Sequence, residues 1–331
     1  MELAWLDPDR LDDRDAAAAV AVLHAARLVD APHRPGETVS SFTARLRHGG
    51  EGDPPVTALA RDGTGRPVGF LALSLPRWDN THLAWLVVTV DPLWRRRGIG
   101  RRLFDAGLEL AGAGGRTILF GHGYDSPALT GFATAMGMEP VLAVAYRRQD
   151  LRTVDRAALD RGYLAAESRA GGYDLVRLAG ATPEEMLPAV VAMTAAINDA
   201  PTDGMDIDDA VFTPARIRAY EAAVLAGGRR LYRLAARSRE TGDLVGHTVV
   251  TVDRERPWLA SQGDTTVLRA YRGHRLGALL KIGMLRWLAE VEPQLHTIDT
   301  SNAASNAHMI RVNDLLGYQV IATTTNYQRR L

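Results

Sequence analysis

The chain has 331 residues and no cysteine. That excludes disulfides, cysteine-ligated zinc and any mechanism that holds an acyl group on a cysteine thiolate. Lysine is almost missing as well: Lys281 stands alone among 39 basic residues, the others being arginine. The arginine bias, with so much alanine and glycine, reads as the composition of a GC-rich genome. Basic and acidic residues balance at 39 each, so no net charge draws the chain to nucleic acid or to an anionic membrane. No apolar run approaches the roughly 18 residues that span a bilayer. The opening MELAWLDPDRLDDRD lacks the basic-then-apolar pattern of a signal peptide. A cytoplasmic protein with no membrane or nucleic-acid partner is the expectation.

What is present suits a folded protein: 46% hydrophobic and 24% charged residues supply ample core, and the length predicts two domains. An internal repeat organises them. PVGFLALSL after RDGTGR and LVGHTVVTV after RETGD each read as strand, glycine turn, strand, with Gly69 matching Gly246. Arg95 and Arg272 open two arginine-rich loops at the same separation of 177 residues. Further on, Gly137 in AMGMEPV matches Gly317 in LLGYQVI. The expected division is 1–151, a linker or connecting helix over 152–172, and 173–331. Each half reads as mixed α/β (α+β), a mostly antiparallel sheet flanked by helices. PEEMLPAVVAMTAAINDA supplies the first helix of the second half, with Thr182 as N-cap, Pro183 at the first helical position and Glu185 three after the cap.

The two loops sit in one context. AWLVVTVD reads as a buried strand, Pro92 ends it, RRRGIGRR follows, and LFDAGLELAG is apolar at helical spacing. A glycine turn between a strand and a helix N-terminus offers unpaired N–H groups and the positive end of the helix dipole to an anion. Gly98 and Gly100 let the backbone approach a bulky pyrophosphate closely. The second loop, RGHRLG, has Arg275 where the first has Gly98, and keeps Gly277. Arginine there is tolerated if its backbone stays in the α region.

RRRGIG resembles the Q/R-x-x-G-x-G/A acyl-CoA-binding motif of the GCN5-related N-acetyltransferases, in the strand-Pro-loop-helix setting of that family. The resemblance covers nearly the whole chain twice, like the tandem, mycothiol-synthase-like acetyltransferases of actinobacteria. It implies two tandem domains of that fold, acetyl-CoA as cofactor, and direct acetyl transfer to the primary amine of a small molecule. The acyl-CoA contacts it implies are Val90, Arg95, Arg96, Arg97, Gly98, Ile99, Gly100 and Arg101 in the first half. In the second they are Val267, Arg272, Gly273, His274, Arg275, Leu276 and Gly277. TSNAASNAHMIRVNDLLGY resembles the family's N-x-x-x-N-x-x-M-x-x-x-N-x-x-L-G-Y/F ending, which adds Asn302 and Asn306 as cofactor contacts or, for Asn306, a helix cap.

Direct transfer needs a carboxylate to take the amine proton, an N–H donor for the carbonyl oxygen and a donor for the departing thiolate. Asp264 lies eight residues before Arg272, where the family often carries an acid, and Asn313 stands at the usual tyrosine position. The first half has Val87 and Ala133 at those places. Catalysis is therefore expected in the second half from Asp264 and Asn313, although Asn313 cannot protonate a thiolate. The alternative is a non-catalytic CoA-binding or scaffold protein. In NDAPTDGMDIDDAVF the carboxylates of Asp199, Asp203 and Asp206 are expected at the acceptor, where they would favour a cationic amine, or else form a solvated, capping loop. The spacing lacks the terminal glutamate of a calcium loop, and no metal site is expected. A monomer or homodimer is expected.

Overall fold

The structure is a computed structural model describing residues 1–331. The chain forms two compact units. The first comprises Met1–Val144, Thr202–Asp209 and Ala322–Leu331, and the second Ala145–Pro201 and Ala210–Ile321. In chain order the elements are β1 (Glu2–Leu6), α1 (Asp13–Asp30), α2 (Val39–His48), β2 (Val56–Arg61), β3 (Pro67–Ser74), β4 (Leu83–Val90), α3 (Ile99–Ala113), β5 (Ile118–Tyr124), α4 (Pro127–Ala135) and β6 (Glu139–Asp150). There follow α5 (Arg156–Arg169), β7 (Tyr173–Ala179), α6 (Leu187–Ala195), α7 (Pro214–Ala226), β8 (Arg229–Ser238), β9 (Leu244–Asp253), β10 (Leu259–Val267), α8 (Leu276–Val291), β11 (Thr297–Ala303), α9 (Ala307–Leu315) and β12 (Gln319–Arg330).

In the first unit β1, β2, β3 and β4 form antiparallel ladders, β4 and β5 pair in parallel, and β5 pairs antiparallel with the end of β12. Both faces are covered, so the strands read as continuous apolar runs. On β3, Phe70 and Ala72 face α1 and α2 with Phe42 and Leu46, while Leu71 and Leu73 face α3 with Leu103 and Phe104. The second unit repeats the plan with β7, β8, β9 and β10 antiparallel and β10 parallel to β11. Leu234 and Ala236 pack with Leu280 and Trp287 of α8, and Ala235 packs with Val190 of α6 and Ile217 of α7.

The 152–172 segment contains the helix α5, whose Ala166 is buried in the core of the second unit together with Ala170 just past its end. One sequence expectation changes. Thr182 does not cap a helix. A helix begun at Pro183 would place Pro188 in its interior, without an N–H and against the preceding turn. The segment instead forms a short 3-10 turn over Glu184–Met186, and α6 starts at Leu187 with proline in its first turn. Thr182 meets Glu221, accepted by Oε1 at 2.5 Å, within a buried ion pair of Glu221 and Arg233 (3.0 Å).

Candidate functional site

Both arginine-rich loops follow one backbone plan. After β4, Asp91 caps a 3-10 turn over Pro92–Trp94 by accepting from the Leu93 N–H at 2.9 Å, and α3 begins at Ile99. After β10, a 3-10 turn covers Arg269–Tyr271 and α8 begins at Leu276. Each loop then uses two left-handed residues: Arg96 (φ 63°) and Gly98 (φ 79°) in the first, Gly273 (φ 90°) and Arg275 (φ 58°) in the second. Glycine and arginine have exchanged equivalent positions. Arg275 thus leaves the α region it was expected to keep and takes the conformation of Gly98, at a cost of about 1 kcal/mol. The loop keeps its shape because Ile99 and Leu276, each next in the chain, are buried and hold the turn against the core.

The first N–H groups of α3 and α8 have no intrahelical acceptor. A Cβ on Gly98, Gly273 or Gly277 would meet nothing within 4 Å, so both loops front open space, whereas a Cβ on Gly100 would lie 3.0 Å from the Phe132 ring. Backbone donors, helix dipole and room together fit a pyrophosphate.

The arginines divide their labour. Arg95 and Arg272 are tethers: their Nε atoms donate to Val90 O (3.2 Å) and Val267 O (2.9 Å), and their guanidinium forks bind Asp30 and Asp199. Asp199 also meets Arg269 at 3.0 Å, and the hydrogen bond from Arg272 holds its carboxyl below the usual carboxylate range. Expected at the acceptor, Asp199 is instead committed to the loop. Asp30, its counterpart in the first unit, was missed in the sequence for want of any motif. Arg97 stacks on Trp94 (4.6 Å), Arg101 reaches the Ala135 carbonyl (3.4 Å) and His274 lies 5.7 Å from the Tyr173 ring. Arg96 is exposed.

Beside each loop a parallel strand pair opens. β4 and β5 pair only over Leu83–Trp85 with Ile118–Phe120, and β10 and β11 only over Leu259–Ser261 with Thr297–Asp299. Here the units differ. The β3–β4 ladder runs regularly from Ser74↔Trp85 to Gly69↔Val90, whereas the β9–β10 ladder breaks between Gln262 and Thr265. Gly263 and Asp264 there oppose Val249 alone, a β-bulge that turns backbone out of the ladder. Gln262 braces the bulge, its Nε2 donating to Thr248 Oγ1 (2.9 Å) and to Val249 O (2.8 Å). Asp264 is exposed on the bulge.

Asn313 is buried and does not front the opening. Its Oδ1 accepts from Lys281 Nζ (2.7 Å), and its Nδ2 donates to Asn302 Oδ1 (3.2 Å). Asn302 is half-buried on β11, past the last residue paired with β10. Asn306 caps α9, accepting from the Met309 N–H at 3.1 Å. Lys281 is itself buried, and desolvation lowers its pKa to about 7. Its solitude among the basic residues was the available signal, unread because apolar α8 gave no hint of a polar partner.

Asp203 and Asp206 lie in the segment that belongs to the first unit. Met205 and Ile207 pack beside Leu83, Ile118 and Phe120. Asp206 receives Arg330 at 2.7 Å, and its N–H donates to Gln328 Oε1 at 2.9 Å. The sequence reading also missed His122 on β5, beyond the parallel pairing in the first unit and opposite Asn326. It is reached by solvent yet hemmed in by protein, and desolvation lowers its pKa.

No cluster of metal-ligating side chains is present, and no helix is long and apolar enough to cross a membrane. Residues 24–138, within the first unit, match the model of the acetyltransferase (GNAT) family. A mycothiol acetyltransferase of Geodermatophilus obscurus is 34% identical over 169 residues, 50% of this chain and 52% of that protein. The match thus spans about half the length of that curated relative. A mycothiol acetyltransferase of Mycobacterium avium is 41% identical over 85 residues, 26% of this chain and 25% of that one. Among solved structures, a tandem GNAT protein from the clavulanic acid biosynthesis pathway is 28% identical with a TM-score of 0.83, covering 99% of this chain and 98% of that one. Residues 24–138 thus belong to the GNAT acetyltransferase family, and the chain carries the tandem GNAT fold along its whole length.

Proposed function

We propose that the protein is an N-acetyltransferase that moves an acetyl group from acetyl-CoA to the primary amine of a small molecule by direct attack, with the chemistry in the second unit. The β-bulge at Gly263 and Asp264, which β4 lacks, carries this reading. It lies where β10 parts from β11 and puts a carboxylate and unladdered backbone at one spot.

Bound acetyl-CoA would supply the thioester, and transfer to the amine forms a C–N bond as the C–S bond breaks. The Gly273–Gly277 loop and the first turn of α8 would hold its pyrophosphate, with the equivalent loop of the first unit able to hold a second. Asp264 takes the proton of the attacking amine. A bulge N–H receives the negative charge that develops on the carbonyl oxygen. The proton removed by Asp264 returns through solvent to the sulfur. Without any cysteine, no acyl-thiol intermediate on the protein competes with this route.

The test is release of free CoA across a panel of small amines, repeated with Asp264→Asn. Turnover is expected to fall at least about tenfold while CoA affinity holds, as for loss of a general base. Unchanged turnover removes Asp264 from the mechanism. CoA binding with no turnover on any amine favours a non-catalytic CoA-binding scaffold.

A further inference from the structure

The single lysine lies at the blind end of a polar chain in the second unit, and its chemistry sets the direction of every link. An ammonium Nζ has three N–H donors and no acceptor, so it meets an amide only as a donor. Lys281 Nζ lies 2.7 Å from Asn313, so the Asn313 amide must present oxygen to it and nitrogen to the other side. That nitrogen donates to Asn302 at 3.2 Å, so Asn302 must present oxygen inward in turn. The Asn302 Nδ2 is left facing away from the core, one N–H donating to Ala303 O at 2.8 Å. Two amides that are ambiguous alone are thereby given one sense. Lys281 is held in place by the Tyr318 ring, 4.9 Å from Nζ, and by burial on α8. Asn302 stands three residues past the last β10–β11 pair, beside the opening.

We propose that Lys281 is a positioning residue: through Asn313 it fixes the Asn302 amide with its second N–H aimed into the β10–β11 opening, as a donor for an amide or thioester oxygen of the acyl-CoA arm. This rests on the reading that the second unit holds acyl-CoA. It also gives Asn313, whose buried amide is engaged by Lys281 and Asn302, a different task from the thiolate donor its place in the motif implies.

Because lysine occurs once, labelling the chain with 13C,15N-lysine yields one side-chain signal. Titration of the intact protein with CoA, followed in parallel by calorimetry, is expected to shift that signal. Asn302→Asp keeps the inward acceptor and loses the outward donor. It is expected to weaken CoA binding at one site about five- to tenfold, the size of one hydrogen bond, and to abolish most of the lysine shift. Lys281→Met is expected to weaken the same site by the same factor, and the double variant no further. Two CoA sites per chain with an unmoved lysine signal, or losses that multiply in the double variant, overturn the proposal. A single CoA site that Asn302→Asp does not touch overturns instead the reading beneath it. If Lys281→Met fails to fold, the lysine signal and Asn302→Asp still decide.

Discussion

At the residue scale, Arg275 carries a side chain where Gly98 carries none, on the same left-handed backbone. Arg275→Gly is therefore expected to stabilise the second unit by about 1 kcal/mol, seen as a higher denaturant midpoint, and Gly98→Ala to destabilise the first by a similar amount. Equal midpoints for both variants would mean that the loops relax to right-handed backbone at no cost. Lys281 makes a second prediction. Unfolded, it keeps its proton to its ordinary pKa of 10.5; folded, it loses it near 7. Between those values the unfolded chain binds the extra proton, so stability is expected to rise with pH across that window. Lys281→Met should flatten this rise, measured as chemical-denaturation midpoints from pH 7 to 10. His247, buried with its pKa lowered to about 3 by desolvation, acts at the acid end. It contributes stability that is lost as pH falls below 6.5.

At the element scale, local signals read well where only local chemistry is involved. Thr213 and Pro214 open α7 as a cap and first-turn proline, and the Arg216 N–H reaches Thr213 Oγ1 at 3.2 Å. Thr182 misled because Glu221 and Arg233, 39 and 51 residues on, claim its hydroxyl. Arg233→Met would leave the Glu221 carboxylate buried beside only the half-exposed Arg218, and is expected to cost about 3 kcal/mol. A loss below 1 kcal/mol, by urea denaturation, would show that Arg218 suffices. The bulge left a faint trace: Leu83 and Leu259, which open the parallel ladders, are 176 residues apart, whereas Arg95 and Arg272 are 177 apart. One extra residue lies in β10, but only register shows it as a bulge at Asp264 rather than a longer turn.

At the scale of the whole molecule, the first unit is completed by Ala322–Leu331, with β12 pairing β5 from Thr324↔Tyr124 to Arg330↔Ile118. In the second unit Arg148, on the end of β6, forks onto Asp299 of β11 at 2.7 and 2.8 Å. A fragment of residues 1–151, cut where the repeat suggests, lacks the strand beside β5 and is expected to show no cooperative thermal transition. Addition of a 322–331 peptide should restore one. A fragment that melts cooperatively alone would show that β5 needs no such partner. The sequence by itself determined the tandem plan and the strand-loop-helix context of the two arginine-rich loops, because each is written in spacing along the chain. Tertiary structure alone decided which strand completes which unit, that Asp199 serves a loop, that the segment bearing Asp203 and Asp206 belongs to the first unit, and that Asn313 answers to Lys281. A hydrogen bond or ladder pair depends on which groups meet in space, and residues 200 or more positions apart, as in the β5–β12 ladder, leave no periodicity that records the meeting.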